Sequence, residues 1–552
     1  MNRRSLVYAV LLLAAGGALI GAGDDYALRI ATLAGTYAIA AIGFQLVFGR
    51  LGLLALSQGA LFAVGAYALA LATVSWGWPP LAGLGLSIVV PALAGALVAI
   101  PIARLESHYV ALATLGLAQL VLLAVTNLEV TGGANGMYGI PPLTVLGLDL
   151  GGGWRLLAVV WGGVALALGI FWWVTASGRA ARLATLRDAP LTAIALGLDP
   201  VGARLLVFAV AGALAGFAGG FQALGLGVVS PAVARFDVMV TLLAIAVVGG
   251  RGSAWGAVVG SVLLVPLPEV FRGLEQAYLL AYGVVLLAAV ILLPRGIDGL
   301  LAKVLPDLPG PVPQPLRAKG RKISVLRAEK LTKRFGGVQA LDGAGFDARA
   351  GEVTGIIGAN GSGKTTLLNI VTGLESADGG IVRLDAIPLL AQPPRARAAL
   401  GLARGFQHPE IPDGVDVLAA VSAAAPAAAG MAALERVGLA HKARAATASL
   451  GPADRRRLDI ARALATGPTV LLLDEPASGL SASERADLAR LLRDLAGDGM
   501  AVVVVEHGMD FLLPIADRLV CLDAGRVLAA GLTDAVRADP AVVAAYLGEE
   551  AA

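Results

Sequence analysis

The chain has 552 residues, 57% apolar and only 15% charged, whereas soluble domains carry about 25% charged residues; an ordinary water-soluble globule is excluded. A net charge of +3 offers no basic surface for nucleic acid, and one cysteine (Cys521) with four histidines excludes an intramolecular disulfide and a zinc cluster at ligand spacing. Residues 1–300 hold 14 Arg, no Lys and 11 acidic residues, while the remainder holds 28 basic and 28 acidic residues, so two classes of domain share the polypeptide.

Apolar stretches recur at 5–22, 30–48, 52–75, 79–103, 109–127, 156–176, 205–224, 238–250, 254–268 and 277–294. Most reach the ~18–20 residues that a helix needs to cross hydrocarbon. They predict a polytopic α-helical membrane domain of about 8–10 transmembrane helices over residues 1–301, the 238–250 stretch being short. The first stretch follows Arg3 and Arg4, but a second apolar segment begins at once, so it reads as a retained helix and not as a cleaved leader. With ten spans and the N-terminus inside, the inner loops hold Arg3, Arg4, Arg50, Arg104, Arg179, Arg182, Arg187, Arg204, Arg251 and Arg295, and the outer loops only Arg29, Arg155, Arg235 and Arg272. That asymmetry follows the positive-inside rule and puts everything after Arg295 in the cytoplasm, below an inner (cytoplasmic) membrane.

The carboxylates of this part, among them Asp24, Asp25, Glu106, Glu129, Asp237, Glu269 and Glu275, fall at span ends or in loops, so no intramembrane proton relay is available and energy must come from elsewhere. Gln45, Ser57, Gln58, Thr114, Gln119 and Gln222 read as hydrogen-bonding groups in helix packing. Residues 302–322, rich in Pro and cations, read as a semi-rigid linker suited to anionic membrane lipid.

From 323 to 552 the pattern is that of an α/β domain. The strand Val353 to Ile357 runs into Gly358-Ala359-Asn360-Gly361-Ser362-Gly363-Lys364-Thr365, followed by Thr366. This is GxxxxGK[ST] in a strand–loop–helix context: glycines let backbone N–H groups wrap phosphates, Lys364 neutralises the β and γ oxygens, and the Thr365 hydroxyl suits Mg²⁺. A second strand, Thr469 to Leu473, delivers Asp474 and Glu475, a carboxylate for Mg²⁺ and one to polarise an attacking water. A third, Ala501 to Val505, ends in Glu506-His507, placing His507 where such sheets bind ligands.

With these motifs the chain resembles the ATPase of ATP-binding cassette transporters over nearly all of 324–552. The resemblance implies that Phe335 stacks on adenine, that Gln407 of Arg-Gly-Phe-Gln touches Mg²⁺ and reports to the membrane domain, and that His507 senses the γ-phosphate. The Phe-Gly-Gly-Val-Gln-Ala-Leu opening and the Ala-Tyr-Leu-Gly ending at 545–548 resemble the branched-chain amino acid branch. The membrane part is similar to the permease of those systems over most of 26–300, through Gly49 to Gly59, Gly65-Ala66-Tyr67, Ala113 to Gly116, Thr131 to Gly136, Gly178-Arg179, Leu186-Arg187-Asp188 and Val248 to Ser253. It implies a coupling loop at about 177–203, with Leu186 to Leu198 docking near Gln407.

One motif departs. Aligned without gaps on Leu458 to Leu464, the LSGGQ signature falls on Leu450-Gly451-Pro452-Ala453-Asp454; the Ser hydroxyl and second Gly are missing and Pro452 lacks an N–H. A two-residue shift recovers Ser449 and Gly451 but requires an insertion. The segment 408–449 is also short and Ala-rich for a helical subdomain. In this family the signature completes the partner's ATP site, so a homodimer would impair both sites, which favours a heteromeric assembly. The resemblance thus implies an ATP-driven importer of branched-chain or related amino acids, with ATP and Mg²⁺ as cofactors, and a second permease, a second ATPase and an extracytoplasmic substrate-binding protein as partners. Importers of urea, short amides or aromatic carboxylates have similar permeases, and an ATP-gated channel or regulatory ATPase is the reading from another class.

Overall fold

The computed structural model describes residues 3–22, 24–102, 107–176, 178–270, 283–284, 287–289, 291–293, 296–304 and 325–544. The chain divides into two compact units, 1–176 with 201–309, and 177–200 with 310–552.

The first unit is helical. Six of its described helices are long and apolar enough to cross a membrane: Asp25–Arg50, Gln58–Ser75, Pro80–Ile102, Tyr109–Asn127, Gly153–Thr175 and Pro200–Leu226. Arg3–Ala22, the first apolar stretch, is a helix of 20 residues. The stretches expected as separate spans at 238–250 and 254–268 instead form Phe236–Gly249 and Ala254–Glu269, bent 118° on each other. Each is too short to span alone, so the pair makes at most one broken span. That gives six or seven spans among the described residues against the eight to ten expected; most of the 277–294 stretch and of the 302–322 linker lies outside them.

The bend is built by backbone contact and by one side chain. A Cβ on Gly249 would lie 2.0 Å from the Gly256 carbonyl, so both arms need glycine there. Gln45, fully buried, donates from Nε2 to the Ala246 and Gly250 carbonyls at 3.0 and 2.9 Å and accepts the Gly252 N–H at 2.7 Å. It therefore satisfies the Gly252 N–H and adds a second bond to two carbonyls that also accept the Gly250 and Ser253 N–H groups at 3.2 Å, in surroundings where a broken helix has no water to turn to. Gln58 donates to the Ala211 carbonyl, and Thr114 accepts the Leu56 N–H. These three fulfil the helix-packing expectation. Ser57 is buried without a side-chain cap bond, the Gln222 Oε1 is buried without a partner, and Gln119 lies on an exposed helix face.

The second unit holds two sheets. β1 (Val325–Phe335) pairs antiparallel with β2 (Val338–Arg349) and β4 (Gly379–Leu384). The six-stranded sheet runs β5 (Leu402–Gly405), β6 (Val470–Asp474), β7 (Ala501–Val505), β3 (Val353–Gly358), β8 (Arg518–Asp523), β9 (Arg526–Leu532). It is parallel except for the β8–β9 pair. β3, β5, β6 and β7 are buried throughout, as strands covered on both faces must be, and all but β5, which carries Arg404, read as near-continuous apolar runs. Their carboxyl ends lie side by side, which brings Gly358, Gly405, Asp474 and Val505 to one edge. The Ala-rich segment 408–449 folds into the short helices Val417–Val421 and Ala427–Arg436 with two 3₁₀ turns.

Candidate functional site

β3 ends at Gly358, and the loop through Gly363 opens the helix Lys364–Thr372. Gly361 and Gly363 have φ of +81° and +100°, and a Cβ on Gly363 would sit 2.6 Å from the Ala340 carbonyl, so neither position accepts a side chain cheaply. The loop closes on itself: the Lys364 ammonium donates to the carbonyls of Gly358 and Ala359 at 2.7 and 2.8 Å. Burial pulls the Lys364 pKa down, opposed by the Glu475 and Asp474 carboxylates. Ser362 Oγ is buried without a hydrogen-bond partner, and Thr365 is exposed at the helix start beside Thr366. Ala359, Asn360 and Gly361 form the exposed rim. A backbone nest at a helix N-terminus with a lysine across it is an anion cradle of phosphate size.

Three further strands deliver side chains to the same edge. β6 brings Asp474, which is 4% exposed, and then Glu475, held at φ +46°. β7 brings His507, whose Nε2 lies 3.0 Å from Glu475 Oε1. Gln407, two residues past β5, donates from Nε2 to Glu475 Oε2 at 2.6 Å. One carboxylate thus joins three strand ends, in a conformation that a residue other than glycine adopts only when its surroundings enforce it. In this structure the Gln407 amide is engaged by Glu475.

Sequence reading missed the residues that hold this cluster. Arg404 on β5 pairs with Asp474 (Nη2 to Oδ2, 3.0 Å). Burial pushes the Asp474 pKa up, and Arg404 opposes that shift. Asp459, in the helix Pro452–Ala465, accepts the Phe406 N–H at 2.9 Å, and Arg456 of the same helix donates to the Gln407 carbonyl at 2.5 Å and to the Ser478 carbonyl at 3.1 Å. The available signal was a charge inside an otherwise buried strand, since Arg and Asp are almost never buried unpaired.

Glu506 is buried and accepts the Ala477 N–H at 2.7 Å. Burial raises its pKa, against the pull of that bond. A raised carboxyl pKa means that the native state keeps a proton which the unfolded state has lost, so stability falls as pH rises from the unfolded value through the native one. Glu506→Gln is therefore expected to match the parent chain near pH 4 and to melt progressively higher than it towards pH 8. Parallel melting curves of the detergent-solubilised chain across that range check this; a constant difference would contradict it.

Phe335, at the end of β1, is 47% exposed, with the Lys333 ammonium 5.1 Å from its ring centre and anchored at 2.7 Å by Glu375. The segment Leu450-Gly451-Pro452-Ala453-Asp454 forms the start of the helix Pro452–Ala465: Leu450 is buried, Gly451 is the N-cap and Pro452 the first helical residue. There proline sacrifices no intrahelical bond, though it removes one N–H from the exposed helix end. Asp454 is ion-paired to Lys442. Ser449, which the shifted alignment would use, spends its hydroxyl on the Ala446 carbonyl.

Residues 177–200 belong to this second unit. They form the helices Arg179–Asp188 and Pro190–Ala195, the latter packed against β5 and against the helix Pro394–Ala399. Arg182 donates to the Ala423 carbonyl at 2.9 Å, Asp188 accepts the Asp413 N–H at 3.1 Å, and Asp199 pairs with Arg395 at 3.1 Å. Arg187 grips Asp188 in a fork at 2.6 and 2.7 Å. Leu198, half-buried, bonds back to the Ala193 carbonyl. The loop therefore seats on the Ala-rich segment after Gln407 and on β5 before it.

A phosphate loop, an acidic strand end and a His-bearing strand end on one mostly parallel sheet define a P-loop ATPase of the cassette class, joined to a polytopic membrane unit. Comparison with known proteins agrees along the chain. Residues 26–294 match the family described as branched-chain amino acid transport system/permease component, residues 341–478 match ABC transporter, and residues 526–552 match branched-chain amino acid ATP-binding cassette transporter. Among relatives, the high-affinity branched-chain amino acid transport ATP-binding protein LivG of Salmonella typhimurium is 33% identical over 252 residues, 41% of this chain and 98% of its own length. BraF of Pseudomonas aeruginosa, of the same description, is 34% identical over 250 residues, again 41% and 98%. The crystal structure of the ADP conformation of MJ1267, an ATP-binding cassette of an ABC transporter, is 29% identical with a TM-score of 0.39, covering 41% of this chain and 99% of that one. The chain belongs to the branched-chain amino acid ABC transporter family and carries its permease and its ATP-binding component in a single polypeptide. Its ATPase domain binds ATP and couples hydrolysis to transport.

Proposed function

We propose that the cluster around Glu475 is the hydrolytic site that drives import of branched-chain amino acids through the fused permease. The observation that carries this reading is the convergence of Gln407 and His507 on the two oxygens of Glu475, at the sheet edge that also bears the Lys364 loop. In this reading Phe335 stacks on adenine, and the N–H groups of 358–366 with Lys364 hold the phosphates. Glu475 takes the proton of the water that attacks the γ-phosphorus, as the bond to the ADP oxygen breaks. His507, with an Nε2 that already reaches the carboxylate, aligns that water and the γ-phosphate. The donor set suits Mg²⁺: a hydroxyl at Thr365, a carboxylate at Asp474 and, once released from Glu475, the amide of Gln407. When bound, that ion neutralises the charge between the β- and γ-phosphates.

We further propose that the membrane is the inner (cytoplasmic) one, with the ATPase in the cytoplasm: the segment 177–200, which belongs to the ATPase unit, carries Arg179, Arg182 and Arg187, the arginine density of an inner loop. The 177–200 helices, with Arg187, Asp188 and Leu198, act as the coupling element, and their seat on residues flanking Gln407 supports this. One permease and one ATPase per chain call for a second of each, and a separate extracytoplasmic binding protein supplies the substrate. The start of the helix Pro452–Ala465 faces the partner's nucleotide, with Asp454 in place of a neutral glutamine. A carboxylate there repels phosphate, and its pairing with Lys442 offsets part of that repulsion. Gly451→Ser with Ala453→Gly is expected to raise the ATPase rate of a preparation containing this chain alone, and no gain would contradict an impaired signature.

A further inference from the structure

Asp474 is 4% exposed, and a carboxylate buried without a partner is costly. Its partner is Arg404, itself 2% exposed, which reaches it from the neighbouring strand with a single contact, Nη2 to Oδ2 at 3.0 Å. Among the described residues Asp474 Oδ1 takes no hydrogen bond, so the arginine occupies one oxygen and leaves the other open. The same guanidinium makes two more attachments. Nη1 donates to Asn369 Oδ1 at 2.6 Å and lies 3.4 Å from Thr372 Oγ1, both on the helix that Lys364 and Thr365 begin. Its carbon lies 4.8 Å from the ring centre of Phe406, the residue before Gln407. Three elements that must keep register around a nucleotide and its cation (the phosphate-loop helix, the strand end bearing Asp474 and the start of the Gln407 loop) are thus tied by one rigid, planar group. A lysine, with a point charge on a flexible stem, cannot reproduce that fork.

Building on the reading of Asp474 as a ligand of the nucleotide's divalent cation, we infer that Arg404 is a positioning residue for that cation: it clamps Asp474 Oδ2 to the phosphate-loop helix so that Oδ1 is presented to the metal. Outer-shell partners of metal ligands typically contribute ~10–100-fold in metal affinity, and that is the size of effect expected.

The test uses the full chain in detergent with Glu475→Gln to stop turnover. Mn²⁺ binding to the ATP-loaded chain is followed by electron paramagnetic resonance, and ATP binding in EDTA by displacement of a fluorescent analogue. Arg404→Met is expected to weaken Mn²⁺ ~10–100-fold while metal-free ATP binding stays within about twofold, and Arg404→Lys to fall between. A merely structural role would lower both affinities together, and that result overturns the inference, as does unchanged Mn²⁺ affinity in Arg404→Met. Should Arg404→Met fail to fold, Arg404→Lys decides alone, and parent-like Mn²⁺ affinity there overturns it. Asp474→Asn separates the two levels: Mn²⁺ loss in that variant but not in the Arg404 variants sinks only the role of Arg404, whereas no loss in Asp474→Asn sinks the reading of Asp474 itself.

Discussion

Glu475→Gln is expected to lower ATP hydrolysis by ~10²–10⁴-fold, the range over which a positioned general base contributes, while leaving ATP bound. The glutamine keeps the size of the side chain and the same φ of +46°, so the loop that precedes Ala477 should hold its course. What it loses is basicity and one acceptor: Gln407 donates to one carboxylate oxygen and His507 Nε2 lies 3.0 Å from the other, and an amide has one oxygen for both. Binding rests on other groups, chiefly Lys364, the glycine-lined loop and Phe335, none of which touches the substitution. Steady-state phosphate release, measured beside equilibrium ATP binding on the same preparation, checks the prediction. Turnover near that of the parent chain would remove Glu475 from the catalytic role.

The second large effect is expected far from the nucleotide. Gln45→Leu should destabilise the membrane unit by ~1–3 kcal/mol, because the Gly252 N–H loses its acceptor and a group left unpaired costs ~1–3 kcal/mol, while the Ala246 and Gly250 carbonyls, which also accept the Gly250 and Ser253 N–H groups at 3.2 Å, lose one bond each. The apolar side chain fits the hydrophobicity of its surroundings, so a loss of this size would come from the polar groups and not from packing. Since the nucleotide loop and the Glu475 cluster lie in the other unit, ATP binding by the purified chain should survive while the thermal midpoint of the helical unit falls. A midpoint within a degree of the parent would show that water, or another group, replaces the glutamine.

The contrast between these two sites shows what was legible in the sequence. Lys364, Asp474, Glu475 and His507 announce themselves because each follows an apolar strand, and a parallel sheet necessarily gathers the strand ends at one edge. Gln45 was readable only as a polar residue inside an apolar run; its partners, Ala246, Gly250 and Gly252, lie some 200 residues away and are backbone atoms without side-chain signature. The same holds for the span count. The stretches at 238–250 and 254–268 have the hydropathy of spans, and only the approach of Gly249 to Gly256 reveals that they fold back as one broken element. Arg404 was hidden differently: its neighbours Leu402, Ala403 and Gly405 make a weak strand, and nothing local pairs an arginine with an aspartate 70 residues later. For Pro452, sequence exposed the missing N–H, while structure adds that the helix itself is unharmed by it.

The central claim is that hydrolysis at Glu475 powers branched-chain amino acid import through the same chain. The most direct measurement is leucine uptake into proteoliposomes holding this chain with the second permease and second ATPase proposed for it, with ATP supplied on the face bearing the ATPase and the proposed binding protein, loaded with leucine, on the other. Uptake that requires both ATP and binding protein, with leucine raising the hydrolysis rate and Glu475→Gln abolishing accumulation, is the expected result. Accumulation that persists in Glu475→Gln, or hydrolysis that is lost without any change in leucine transport, would contradict it.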